Sequence, residues 1–109
     1  MTAAPDLLSI AKDFSRTPGP RRASEGDFSG EEFLKLLRVR FREARDAGRS
    51  LVVDLDGAAG YATSFLEAAF GGLARENDPQ TVLKTLEFKS QEEPDLIEEI
   101  QGYIRDANA

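Results

Sequence analysis

Between Ser50 and Asp56 the chain runs Leu51-Val52-Val53-Asp54-Leu55, an almost unbroken apolar stretch. A short apolar run bounded by polar turn formers is the pattern of a strand buried on both faces of a parallel sheet, and it places this strand at the sheet's centre. Parallel strands cannot be joined by tight hairpins, so each neighbour must be reached through a crossover helix. Such helices are legible on both sides. Upstream, Ser29 and Glu32 form a capping box, in which hydroxyl and carboxylate each satisfy an otherwise orphaned backbone N–H. Phe33, Leu36, Leu37, Phe41 and Ala44 then recur at helical spacing, and Gly48 supplies the stop. Downstream, after the small residues Gly57 to Gly60, Ser64 and Glu67 form a second capping box ahead of Leu66, Ala69, Phe70 and Leu73. Gly71 and Gly72 within that helix imply close packing or a bend, since each costs about 1 kcal/mol relative to Ala.

The flanking segments extend the alternation. Leu7, Leu8, Ile10 and Phe14 predict a first strand, followed by a Gly-, Pro- and Arg-rich turn over 15–30. Pro18, Gly19 and Pro20 favour a reversal, which would let Arg21 to Ser24 return as an antiparallel edge strand. Asn77, Asp78 and Pro79 break the chain, Val82 to Phe88 reads as a third parallel strand, and Pro94 opens a helix that turns Leu96, Ile97, Ile100, Tyr103 and Ile104 inward. Strand and helix alternate throughout, which predicts an α/β sandwich: a mostly parallel four-stranded sheet packed by three helices. At 109 residues the chain suits one domain over 1–109, with Met1 to Pro5 and Asn108 to Ala109 expected to be mobile.

Composition narrows the chemistry. The chain has no cysteine, so disulfides, thiolate nucleophiles and zinc ribbons are excluded, and no histidine, which removes the usual general base and metal ligand. An enzyme would have to work through carboxylates, Lys, Arg, Ser, Thr or Tyr. The expectation is therefore a chain without catalysis, cofactor or metal. A net charge of −6 repels nucleic acid and anionic membranes, which points to proteins as partners. No apolar run reaches membrane-spanning length and the first ten residues lack a signal-peptide pattern, so the expected location is the cytoplasm.

Three motifs carry possible chemistry. Asp54-Leu55-Asp56-Gly57 resembles the DxDG motif of haloacid-dehalogenase-like phosphatases, which implies a small Mg²⁺-dependent hydrolase using Asp54 and Asp56. Ala58 departs from the Thr or Val of that pattern, and the later strand ending Glu87-Phe88-Lys89 lacks the further acidic pair. The plainer reading is that both aspartates fasten the turn after the strand through backbone N–H groups. Arg38, Arg42, Arg45 and Arg49 form a basic stripe on the first helix, with Lys35 in line, which suggests a nucleic-acid accessory protein or a solvated face. The loop Ser15-Arg16-Thr17-Pro18-Gly19-Pro20-Arg21-Arg22 lacks P-loop spacing but holds forked donors suited to carboxylate or phosphate.

The run from Leu51 to Leu73, above all Ser64-Phe65, Glu67 and Phe70-Gly71-Gly72-Leu73, resembles the STAS-like domain family, small bacterial proteins without an assigned activity. Thr17-Pro18-Gly19-Pro20-Arg21 and Phe28-Ser29-Gly30-Glu31-Glu32-Phe33 resemble it as well. The resemblance implies kinship to the STAS domains of anti-sigma-factor antagonists, in which a serine of Asp-Ser-Ser-Gly-Leu is phosphorylated by a histidine-kinase-type ATPase. Aligned residue by residue, Thr63 and Ser64 fall on the two serines and Leu66 on the leucine. Ala62 replaces the acidic residue and Phe65 the glycine, so the parent motif is only partly kept.

Together these readings predict a non-catalytic, STAS-like regulatory module. It would dock a protein partner through the loop from Gly57 to Ser64 and the exposed face of the following helix. The resemblance implies phosphorylation at Ser64 or Thr63 and an ATPase of the histidine-kinase type as partner. Asp56, Gly57, Tyr61, Phe65, Glu67, Arg16 and Arg21 are the candidate partner-binding residues.

Overall fold

The computed structural model describes residues 6–108. Strand β1 (Asp6–Ser9) leads into a one-turn helix α1 (Ile10–Asp13), and a loop with a 3₁₀ turn at Ala23–Glu25 reaches the long helix α2 (Gly30–Asp46). Strand β2 (Leu51–Asp54) is followed by one continuous helical rod made of α3 (Thr63–Leu66), a π-helical turn (Glu67–Gly71) and α4 (Gly72–Glu76). Helix α5 (Pro79–Thr85), strand β3 (Leu86–Lys89) and helix α6 (Asp95–Arg105) complete the fold.

The sheet has three strands in the order β1-β2-β3, all parallel, with β2 central as its apolar run predicts. Two expectations are corrected here. The return strand at Arg21 to Ser24 does not form: this segment bends into the 3₁₀ turn, held by the Arg22 N–H to Glu25 and the Ala23 N–H to Glu31. The described residues therefore form three strands and five helical bodies, in place of four strands and three helices. The third strand is also shorter than Val82 to Phe88. Asp78 caps Thr81 N–H at 3.1 Å and Pro79 takes the first helical position, so the chain is helical through Thr85 and extends only from Leu86.

Burial on both faces of β2 is corrected too. Residues in register share a face, so Leu8, Val53 and Phe88 form one row and Leu51 pairs with Leu86 beside it. This face meets the helices. The opposite row of Leu7, Val52 and Glu87 reaches solvent, with Leu7 56% exposed. Strand order explains it: two right-handed crossovers that advance in the same direction across a sheet lie on the same side. The free edge of β1 is closed locally, because Arg40 of α2 donates to the Leu7 carbonyl at 2.7 Å.

Helix α2 keeps its predicted start and stop. Ser29 accepts from Glu32 N–H at 3.1 Å and Glu32 reaches back to Ser29, while Gly48 beyond the last turn takes φ +68°, a conformation that costs glycine little. Its apolar stripe of Phe33, Leu37, Phe41 and Ala44 is fully buried against the rod and the sheet. Phe33, Phe65 and Phe70 stack or meet edge-on at 5.8–6.1 Å in the centre of the core. Ile100 and Ile104 of α6 close it from the other side.

Candidate functional site

Three loops gather at the carboxyl ends of the parallel strands, where parallel sheets commonly place their sites. After β2, Asp54 accepts from Asp56 N–H at 3.0 Å, fastening the turn as the plainer sequence reading expects. Asp56 then reaches across to the loop after β3 and accepts from Gln91 N–H at 3.0 Å and Glu92 N–H at 2.9 Å. These two amide donors hold the Asp56 carboxyl below the usual carboxylate range. Gly57 takes φ +91° and donates its N–H to the Glu92 carboxylate, so the two loops are laced in both directions. A third tie, from Ala59 N–H to the Arg16 carbonyl at 2.8 Å, brings in the loop after α1.

Tyr61 closes this arch. Its phenol donates to the Leu55 carbonyl at 2.7 Å. Burial, together with the carboxylates of Asp54, Asp56, Glu92 and Glu93 around it, raises its pKa well above that of free tyrosine. The ring packs 6.1 Å from Phe65, which itself lies 6.2 Å from Phe14. Phe65 is fully buried and presents no surface to a partner, because the first turn of α3 plants it in the core.

The Ser64–Glu67 capping box does not form. Ala62 occupies the N-cap position without a side-chain bond, and Ser64 lies inside the first turn of α3. Among the described residues its half-buried hydroxyl has no hydrogen-bond partner, while Thr63 is exposed beside it. Glu67 is committed elsewhere, to Arg75 at 2.7 Å and Arg21 at 2.7 Å, and the Arg75 and Arg21 guanidinia lower its pKa. This ion pair ties the 15–29 loop to the rod. The rod itself exposes little beyond its ends, since 68–74 are all buried, so the exposed helix face expected from the sequence shrinks to the first turn and Arg75–Glu76. The signal for this was present in Gly71 and Gly72, whose missing side chains leave room for the Glu67 carboxylate and for Leu34.

The sequence-predicted residues thus divide. Asp56, Gly57 and Tyr61 stand together with Thr63 and Ser64 on the 56–64 arch, and Arg16 joins them through its backbone. Arg21 and Glu67 pair with each other on a neighbouring flank. Gln91 and Glu92 were missed, since a contact spanning 35 or 36 residues leaves no local pattern. Among the described residues no group of three or more acidic side chains is arranged to hold a metal ion. The basic stripe is largely spent: Arg38 holds Glu76 through two bonds of 2.8 and 2.7 Å, Arg49 holds Asp6, and Arg45 holds Asp46 and Asn77.

Over residues 29–96, from the start of α2 into α6, the chain matches the family described as STAS-like domain of unknown function (DUF4325). The chain belongs to this STAS-like family. The matched span contains the whole 56–64 arch and the β3 loop that laces it, while β1 and most of α6 lie outside. No curated protein and no solved structure matches the chain. Among the described residues no helix is long and apolar enough to cross a membrane.

Proposed function

We propose that this STAS-like domain is a non-catalytic regulatory module that docks a protein partner through the 56–64 arch, with phosphorylation of Ser64 or Thr63 as its switch. The observation that carries the reading is the Ser64 hydroxyl. A serine two residues into a helix without a capping bond has no structural task there, and the backbone N–H groups of the first turn favour a phosphate by about 0.3–1 kcal/mol. Asp54 at the end of β2 and Asp56 at the start of the arch oppose it, so modification leaves the fold intact and changes the potential that a partner meets. Family likeness supports an ATPase of the histidine-kinase type as that partner, which would supply the ATP chemistry.

The hydrolase reading has less support, because Asp54 and Asp56 are occupied by backbone amides. Calorimetric titration with a histidine-kinase-type ATPase of the same organism tests the proposal. Ser64→Ala should bind as wild type does, and Ser64→Asp at least tenfold more weakly, about 1.4 kcal/mol. Equal affinity for wild type and both variants refutes the switch.

A further inference from the structure

At the opposite ends of the strands, where Ser50 leads into β2 and Thr85 into β3, lies a cleft of about 440 Å³. Its wall is Arg45, Arg49, Ser50, Thr81, Lys84 and Thr85, three cations and three hydroxyls with no carboxylate among them. In a chain of net charge −6 such a lining is the reverse of the average surface. We propose that this cleft binds a small phosphorylated anion.

Two features distinguish it from a surface where basic side chains merely meet. The guanidinium donors are held in place: Arg49 spends Nε and Nη2 on Asp6 at 3.0 and 3.4 Å, which leaves its Nη1 edge open. Arg45 spends Nε on Asp46 at 3.1 Å and Nη1 on Asn77 at 3.2 Å, lies over the Phe41 ring at 5.5 Å, and keeps Nη2 unspent. Forked donors already fixed by other contacts lose little freedom when they meet a phosphate. The second feature is Thr85. This residue is only 9% exposed, and its hydroxyl, which has no hydrogen-bond partner among the described residues, still reaches solvent where the residue borders the cleft. A hydroxyl open to solvent on an otherwise buried side chain is held in place and free to donate to a ligand.

The negative ends of α2 and α5 and the carboxylates of Asp6, Asp46 and Asp78, which hold Arg49, Arg45 and the Thr81 hydroxyl, offset part of the positive charge. Lys84, which has no carboxylate partner among the described residues, is not offset in that way. The lining has no aromatic platform for a base, so the recognised element is the phosphoryl group itself.

The test is an amide NMR titration of the full chain with inorganic phosphate and with pyrophosphate at constant ionic strength. Saturable shifts at 48–50 and 81–86 with either anion are expected. Lys84→Gln should weaken that binding at least fivefold, and Thr85→Val should weaken it while the melting temperature holds. Shifts that are absent with both anions, fail to saturate, or are unchanged in Lys84→Gln overturn the proposal.

Discussion

Replacing Gly30 by Ala tests how α2 is seated. Gly30 is the first residue of α2, and its N–H donates to the Pro20 carbonyl at 2.8 Å. A Cβ placed there would lie 2.7 Å from the Phe65 carbonyl oxygen, 2.9 Å from the Ala68 Cβ and 3.2 Å from the Phe65 Cα. Two of these atoms are backbone and the third is attached to it, so none can swing aside as a side-chain tip would. Overpacking of this kind costs about 1–3 kcal/mol, while the helix preference for Ala over Gly returns at most about 1 kcal/mol. The net effect is destabilising. The same substitution at Gly102 in α6 has the opposite sign, because the nearest atom to its Cβ is the Arg105 Nη2 at 3.9 Å. There the propensity gain of roughly 1 kcal/mol stands alone. Thermal melts followed by circular dichroism read the difference, at about 4 °C per kcal/mol for a domain of this size. Gly30→Ala should melt below wild type and Gly102→Ala above it. If Gly30→Ala melts at or above wild type, α2 does not rest on the 65–68 backbone and the packing argument fails.

Acidification gives a second test. The Arg75 and Arg21 contacts depress the folded pKa of Glu67 below its ordinary value of 4.5, so the stability they confer is present above that value and is lost as pH falls through the folded pKa. Urea midpoints should drop as the solution goes below pH 4.5, and Glu67→Gln should flatten part of the drop. Asp56→Ala should release the β3 loop, seen as faster hydrogen exchange at the Gln91 and Glu92 amides with α2 unaffected; unchanged exchange there would refute the lacing. Arg38→Ala with Arg42→Ala should change stability by no more than about 1 kcal/mol, since exposed ion pairs contribute little. Salt-dependent binding of duplex DNA that disappears in this double variant would revive the nucleic-acid reading.

Local order was written in the sequence wherever a short-range rule decides it. Ser29, Glu32, the apolar stripe of α2 and Gly48 determined that helix from cap to stop, because each contact spans at most a turn or two. The run Leu51 to Leu55 likewise determined a central parallel strand, and Asp54 with Asp56 determined a turn tied by side chains. Local rules also misled. Ser64 and Glu67 have capping-box spacing, but Glu67 has stronger partners in Arg75 and Arg21, and a charge-assisted pair between two elements outweighs a cap within one. Asp78-Pro79 was a legible helix start hidden by its reading as a plain break.

Tertiary structure alone decided the rest. Whether β2 is covered on one face or two depends on the direction in which successive crossovers advance, and no residue of the strand encodes that. The site is likewise an outcome of assembly: Asp56 meets Gln91 and Glu92 only once β3 has docked beside β2. The cleft of Arg45, Arg49 and Lys84 exists because two helix ends and two strand starts converge, a coincidence in space between segments more than thirty residues apart. Sequence specifies contacts whose partners lie within a turn or a pleat. Contacts across the fold depend on the summed packing of every element.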